Sequence, residues 1–186
     1  MENLNKKTVA ILATNGFEES ELKSPKVALE KAGAEVHIVS LESGKIKSWK
    51  DGNWSNSYDV DKTLSEISQK DYNALMLPGG QINPDLLRKN KDAVNFVKSF
   101  FENHKPVAAI CHAPWLLAEA GVLEGRKITS YDSIKTDMIN AGANWVDEEV
   151  VVDSGLVTSR SPEDLPAFNA KLVEEVYEGK HEAQVA

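Results

Sequence analysis

Pro106-Val107-Ala108-Ala109-Ile110-Cys111-His112-Ala113-Pro114-Trp115-Leu116-Leu117-Ala118-Glu119-Ala120-Gly121 is the stretch on which the reading of this chain turns. Val107 to Ile110 has the length and composition of a buried strand. Leu116, Leu117 and Ala120 recur at helical spacing, and Pro114 suits a first helical turn. Between them stand a histidine and the sole cysteine of the chain. A reactive pair at a strand-to-helix junction is the pattern of a nucleophile elbow. The sharp turn lifts the side chain off the sheet, and the start of the helix favours a thiolate. The competing reading is a buried core cysteine, the default for a lone thiol.

Outward from this stretch, strands and helices alternate. Residues 8–13 read as a buried first strand, ended by Thr14-Asn15-Gly16. Glu18, Glu19 and Glu21 follow before a helix over 25–32. Acids in a first helical turn suit the helix dipole. The sharper reading is that one of them points inward at the C-terminal edge of the sheet, where open α/β sheets collect functional groups. Residues 35–40 form a second strand with His37 on a sheet face. Asp51-Gly52 marks a hairpin between Trp49 and Trp54, which pack on the domain or on a second subunit. A short helix over 64–67 and a third strand over 72–77 lead to Pro78-Gly79-Gly80, whose glycines let backbone approach a ligand. A single helix is expected over 84–101, then His104 in a solvated loop. A strand over 127–130, a helix over 134–141, strands over 143–146 and 150–152, and a hairpin return over 156–159 follow. Ser161-Pro162-Glu163-Asp164 caps a final helix with Leu165, Phe168, Leu172, Val173 and Val176 inward. Residues 179–186 read as a loose polar tail. The pattern predicts one α/β domain over 1–186, with an ordered core over about 7–178 and a mainly parallel sheet between helix layers.

Composition narrows the function. The net charge of -8 argues against a general nucleic-acid surface. One cysteine makes no intramolecular disulfide and fits a reducing cytoplasm. The N-terminus, residues 1–7, is polar; the apolar run over 9–13 is too short for a signal-peptide core or a membrane span, and no other segment is long enough. One cysteine and four scattered histidines offer no zinc-type ligand spacing, and no glycine-rich nucleotide cradle is present, so no metal and no cofactor are expected.

Several segments, in order, resemble the ThiJ/PfpI family of the class I glutamine-amidotransferase-like superfamily. They are Phe17-Glu18-Glu19, Leu77-Pro78-Gly79-Gly80, Ala109-Ile110-Cys111-His112-Ala113-Pro114, Met138-Ile139-Asn140-Ala141-Gly142-Ala143, Val150-Val151-Val152-Asp153 and Val157-Thr158-Ser159-Arg160. The resemblance implies a flavodoxin-like three-layer sandwich that assembles as a homodimer or higher homo-oligomer. It makes Cys111 the nucleophile, Glu18 the carboxylate that hydrogen-bonds it, and His112 the adjacent imidazole. The backbone N–H groups of Gly80 and His112 become the oxyanion hole, Asp85 of a neighbouring subunit the third acid, and Tyr131 a pocket wall. Ala113 and Trp115 depart from the Cys-His-Gly-Pro-Gln of peptidase-like members, and Trp115 narrows the cleft. Trp49-Lys50-Asp51-Gly52 departs from their Gly-Lys-His-Gly, and Asp85 lies one residue later and one carbon shorter than their glutamate. The resemblance is therefore to the general-stress-protein-like branch. It implies a stress-response cysteine hydrolase acting on small carbonyl adducts or glycated groups, on a small molecule or a modified protein. A non-catalytic redox-sensing or chaperone-like protein and an intracellular cysteine peptidase are the alternatives.

Overall fold

The computed structural model describes residues 3–186; Met1 and Glu2, which begin the polar N-terminal lead, lie outside the described residues. In chain order the strands are β1 Thr8–Leu12, β2 Phe17–Glu18, β3 Glu35–Ser40, β4 Lys45–Lys50, β5 Asn53–Asp59, β6 Lys62–Thr63, β7 Ala74–Leu77, β8 Val107–Ile110, β9 Lys127–Ile128, β10 Asn144–Trp145, β11 Val151–Asp153 and β12 Leu156–Ser159. The helices are α1 Glu19–Lys31, α2 Ile82–Arg88, α3 Lys91–Glu102, α4 Pro114–Ala120, α5 Lys135–Asn140 and α6 Leu165–Glu178.

Seven strands form the central sheet in the order β11-β12-β8-β7-β1-β3-β6. All neighbours are parallel except the β11–β12 hairpin. Strand alternation sends Ala10, Leu12, Leu75, Leu77, Val107 and Ala109 to one face, where α2, α3, α4 and α5 cover them. Val9, Ile11, Met76, Ala108 and Ile110 face the other way, under α1 and α6. The expected mainly parallel, three-layer α/β sandwich is what the chain forms. After β1 the chain runs to β3 on one side, then crosses back to β7 on the other. The crevice beyond the β1 and β7 carboxyl ends is thus a topological switch point, where doubly wound sheets place ligands.

Several local expectations change. The helix expected over 84–101 is two helices. Lys89 and Asn90 break it, and the Asn90 side chain accepts from Ala93 N–H at 3.0 Å as an N-cap. The final helix begins at Leu165 after a 3₁₀ turn over Pro162–Asp164, and the Ser161 hydroxyl bonds the Glu163 carboxylate instead of capping. The tail is not loose. Gln184 is fully buried and its amide donates to Lys105 O, while Arg126 donates to Val185 O at 2.7 Å. His104 is not simply solvated, because its Nδ1 lies 2.6 Å from Gln184 O. The Asp51-Gly52 hairpin forms as expected, with both residues at positive φ. Trp49 and Trp54 face each other across it, edge to face at 5.3 Å.

Candidate active site

Cys111 follows the last residue of β8 and leads, one turn on, into α4. Its φ is 64°, a left-handed conformation that costs a residue with a Cβ about 1–2 kcal/mol. The turn is fixed from both sides: Cys111 N–H donates to Ser159 O at 3.0 Å, and Tyr131 N–H donates to Cys111 O at 2.9 Å. β12 and the loop after β9 therefore hold the elbow in place.

Three groups surround the thiol. The first is His112, whose Nδ1 lies 3.1 Å from Sγ. The imidazole is buried, stacked on Tyr131 at 4.7 Å and edge-on to Trp115 at 5.2 Å. Its Nε2 meets Ser133 Oγ at 3.2 Å. Burial pushes its pKa below the ordinary imidazole value, so the ring is neutral at neutral pH and can take a proton. The second group is the backbone. The backbone amides of Gly80 and His112 lie near enough to the sulfur to pull the thiol pKa down against its burial. Gly80 sits at φ 73°, and a Cβ there would lie 2.5 Å from Gly16 O. Only glycine brings this amide so close.

The third group is a carboxyl, and it is Glu21, not Glu18. Glu21 lies in the first turn of α1, fully buried, with Oε2 accepting from Gly79 N–H at 2.9 Å. A Cβ on Gly79 would sit 2.6 Å from that oxygen and 2.7 Å from Cys111 Cβ, so residue 79 brings carboxyl and thiol together by having no side chain. Oε1 is buried with no aligned hydrogen-bond partner. Burial, then the charge of Glu18, push the Glu21 pKa up to about 8, while the thiol and the glycine amides pull it down. Burial, then Glu21, push the Cys111 thiol up as well. The expectation of a helix-stabilised thiolate is corrected accordingly. α4 has only seven residues, and desolvation dominates.

The other sequence-derived residues fall as follows. Glu18 is half-buried, accepts from Ser20 Oγ at 3.4 Å, and its charge raises the Glu21 pKa. Glu19 turns the other way, accepting from Ser48 Oγ at 2.7 Å and Asn56 Nδ2 at 3.1 Å. Asp85 is exposed on α2, and within the chain the His112 Nε2 meets Ser133 Oγ. Tyr131 and Trp115 both wall the imidazole. Trp115 is pinned by Asp137 at 2.8 Å and by the Arg88 guanidinium over its ring at 5.4 Å. Ser133 was missed, because an exposed serine in a 3₁₀ turn carries no sequence signal. Glu21 becomes readable only because α1 starts at Glu19 and not at residue 25, which puts it in the first helical turn.

A strained elbow cysteine beside a buried carboxyl and an imidazole, at the switch point of a doubly wound sheet, defines a class of α/β proteins built around a single thiol. This chain belongs to the DJ-1/PfpI family, whose model matches residues 7–175. It is 46% identical over 164 residues to General stress protein 18 of Bacillus subtilis, covering 88% of this chain and 94% of that one. It is 46% identical over 168 residues to Protein/nucleic acid deglycase 2 of Escherichia coli (90% and 96%). It is 47% identical over 165 residues to Deglycase PH1704 of Pyrococcus horikoshii (89% and 96%). Among solved structures, Drosophila melanogaster DJ-1beta superposes with a TM-score of 0.83 at 28% identity, covering 96% of this chain and 95% of that one. A two-domain protein from Anabaena variabilis, with DJ-1/ThiJ/PfpI-like and ferritin-like domains, superposes at 0.87 and 37% identity; the match spans 92% of this chain and 48% of that one.

Proposed function

We propose that this protein is a stress-response cysteine hydrolase that removes small carbonyl adducts from a small molecule or a modified protein. The observation that carries the reading is the 3.1 Å approach of Cys111 Sγ to a neutral, buried His112 Nδ1, with the backbone amides of Gly80 and His112 beside the sulfur. Relatives at 46–47% identity whose names are deglycase or general stress protein support it.

In the first step Cys111 Sγ forms a bond to the adduct's carbonyl carbon. The thiol proton passes to His112 Nδ1, and Nε2–H donates to Ser133 Oγ. The carbonyl π pair moves to oxygen, and the N–H groups of Gly80 and His112 hold the resulting oxyanion. Glu21, protonated at neutral pH, supplies a proton to that oxygen or to the leaving group. Glu21 takes the place that the resemblance gave to Glu18. The decisive experiment follows release of free amine or thiol from methylglyoxal adducts. Cys111→Ala is expected to abolish turnover, and Glu21→Gln to lower it by about 10²-fold or more, with Glu18→Gln within a factor of a few of wild type. Unchanged turnover in Cys111→Ala overturns the reading.

A second reading has an observation of its own. Glu21 Oε1 is buried without a partner on a carboxyl that interacts with the thiol, a group able to donate to an oxidised sulfur. Under this redox-sensing reading, mild peroxide adds two oxygens to Cys111 by intact mass, and Glu21→Gln weakens their retention. A peptidase is disfavoured by Trp115, fixed against the imidazole. No described helix is long and apolar enough to cross a membrane, and the reading places the enzyme in the cytoplasm. Trp54, 48% exposed on the hairpin, suits a homo-oligomer contact, which sedimentation of wild type against Trp54→Ala tests.

A further inference from the structure

We propose that Glu175, Glu178 and His181 bind one divalent transition-metal ion of the zinc type, which clamps the C-terminal segment to the end of α6. Glu175 and Glu178 stand one turn apart on α6. The helix stops at Gly179, at φ 89°, and the chain turns back so that His181 faces both carboxylates. The three donor atoms lie within 4.8 Å of one another. His181 Nε2 is 2.9 Å from Glu175 Oε2 and 3.9 Å from Glu178 Oε2. Bonds of about 2.0–2.2 Å in a tetrahedral zinc site put neighbouring donors about 3.3 Å apart, between these two separations.

A second observation separates this cluster from an ordinary ion pair. Glu175 is 4% exposed, and neither its Oε2 nor His181 Nε2 has an aligned hydrogen-bond partner, although the two atoms are 2.9 Å apart. The ring nitrogen and the carboxylate oxygen are close but not aligned for a hydrogen bond, so both keep a free lone pair or proton beside Glu178. One imidazole with two carboxylates suits zinc better than calcium or magnesium, which take oxygen donors alone. Glu178 is exposed, which leaves an open side for water. His181 packs against Gly155, ahead of β12, so the site lies at the amino-terminal ends of β8 and β12, whereas Cys111 follows the carboxyl end of β8. It is independent of the thiol chemistry.

The test is calorimetric titration of zinc chloride into the full chain carrying Cys111→Ser, which removes the thiol as a competing ligand, with calcium chloride as control. One zinc ion per chain is expected, with little calcium binding and a zinc-dependent rise in melting temperature. His181→Gln and Glu178→Gln are each expected to weaken binding at least about tenfold and to abolish that rise. Glu178 is exposed, so its variant keeps the fold and decides the matter if His181→Gln does not fold. No zinc binding by the Cys111→Ser chain, or equal binding by Glu178→Gln, overturns the proposal.

Discussion

At the scale of single residues, Glu21 carries a cost that pH exposes. Its ordinary pKa is 4.5, and burial raises it to about 8 in the fold. Between those values the unfolded chain has released this proton and the folded chain has kept it, so Glu21 makes stability fall as pH rises, with no further loss above about 8. Glu21→Gln retains an acceptor for Gly79 N–H and is expected to stabilise the protein, little at pH 4 and by a few kcal/mol near pH 8, on the order set by the shift. Urea denaturation across pH measures this; a gain independent of pH would show that ionisation is not the cause. Gly79→Ala is expected to cost about 1–3 kcal/mol and to depress turnover together with stability, because its Cβ meets the Glu21 carboxyl, Cys111 Cβ and Ile110 O at once. Cys111 and His112 were legible in the sequence because an apolar strand runs directly into them. Glu18 and Glu21 were harder to tell apart, since three acids in four residues all satisfy the same dipole argument. Only the helical phase of α1 selects Glu21.

At the scale of elements, Glu19 ties the start of α1 to the β4–β5 hairpin. Hydrogen bonding to Ser48, ahead of the desolvation it opposes, holds its pKa down to about 2. This stabilisation is present above the ordinary carboxylate range and is lost as pH falls toward 2. Glu19→Gln is expected to destabilise the protein at neutral pH by about 1–3 kcal/mol, and amide exchange should quicken in 45–59 more than in β1 or β8. The hairpin itself was readable from Asp51-Gly52. The break between α2 and α3 was not, because Lys89, Asn90 and Lys91 are polar residues that also suit the solvent face of one long helix. What stops it is the Asn90 side chain competing for a backbone N–H, a local hydrogen bond that periodicity does not register.

Across the whole molecule, the parallel sheet followed from alternating strand and helix patterns, and its switch point set where chemistry would gather. The C-terminal segment did not follow. Its polar composition hid a buried Gln184 and a carbonyl, Val185 O, that accepts from the Arg126 guanidinium. Deleting residues 180–186 is expected to cost about 1–3 kcal/mol without changing the reach of His112 to Cys111, so thermal unfolding should shift while adduct turnover persists below the transition. A deletion that abolished turnover in folded protein would mean that the amino and carboxyl ends of the strands communicate.

The elbow has a consequence for how this chain drifts. Position 111 is one where glycine or asparagine would sit with less backbone strain than cysteine. Under selection for folding alone, mutation would be expected to replace the thiol. Cys111→Gly is accordingly expected to melt no lower than Cys111→Ala, despite losing a methyl group. If it does, the persistence of a sulfur atom at φ 64° is a record of selection for chemistry, held against the preference of the backbone that carries it.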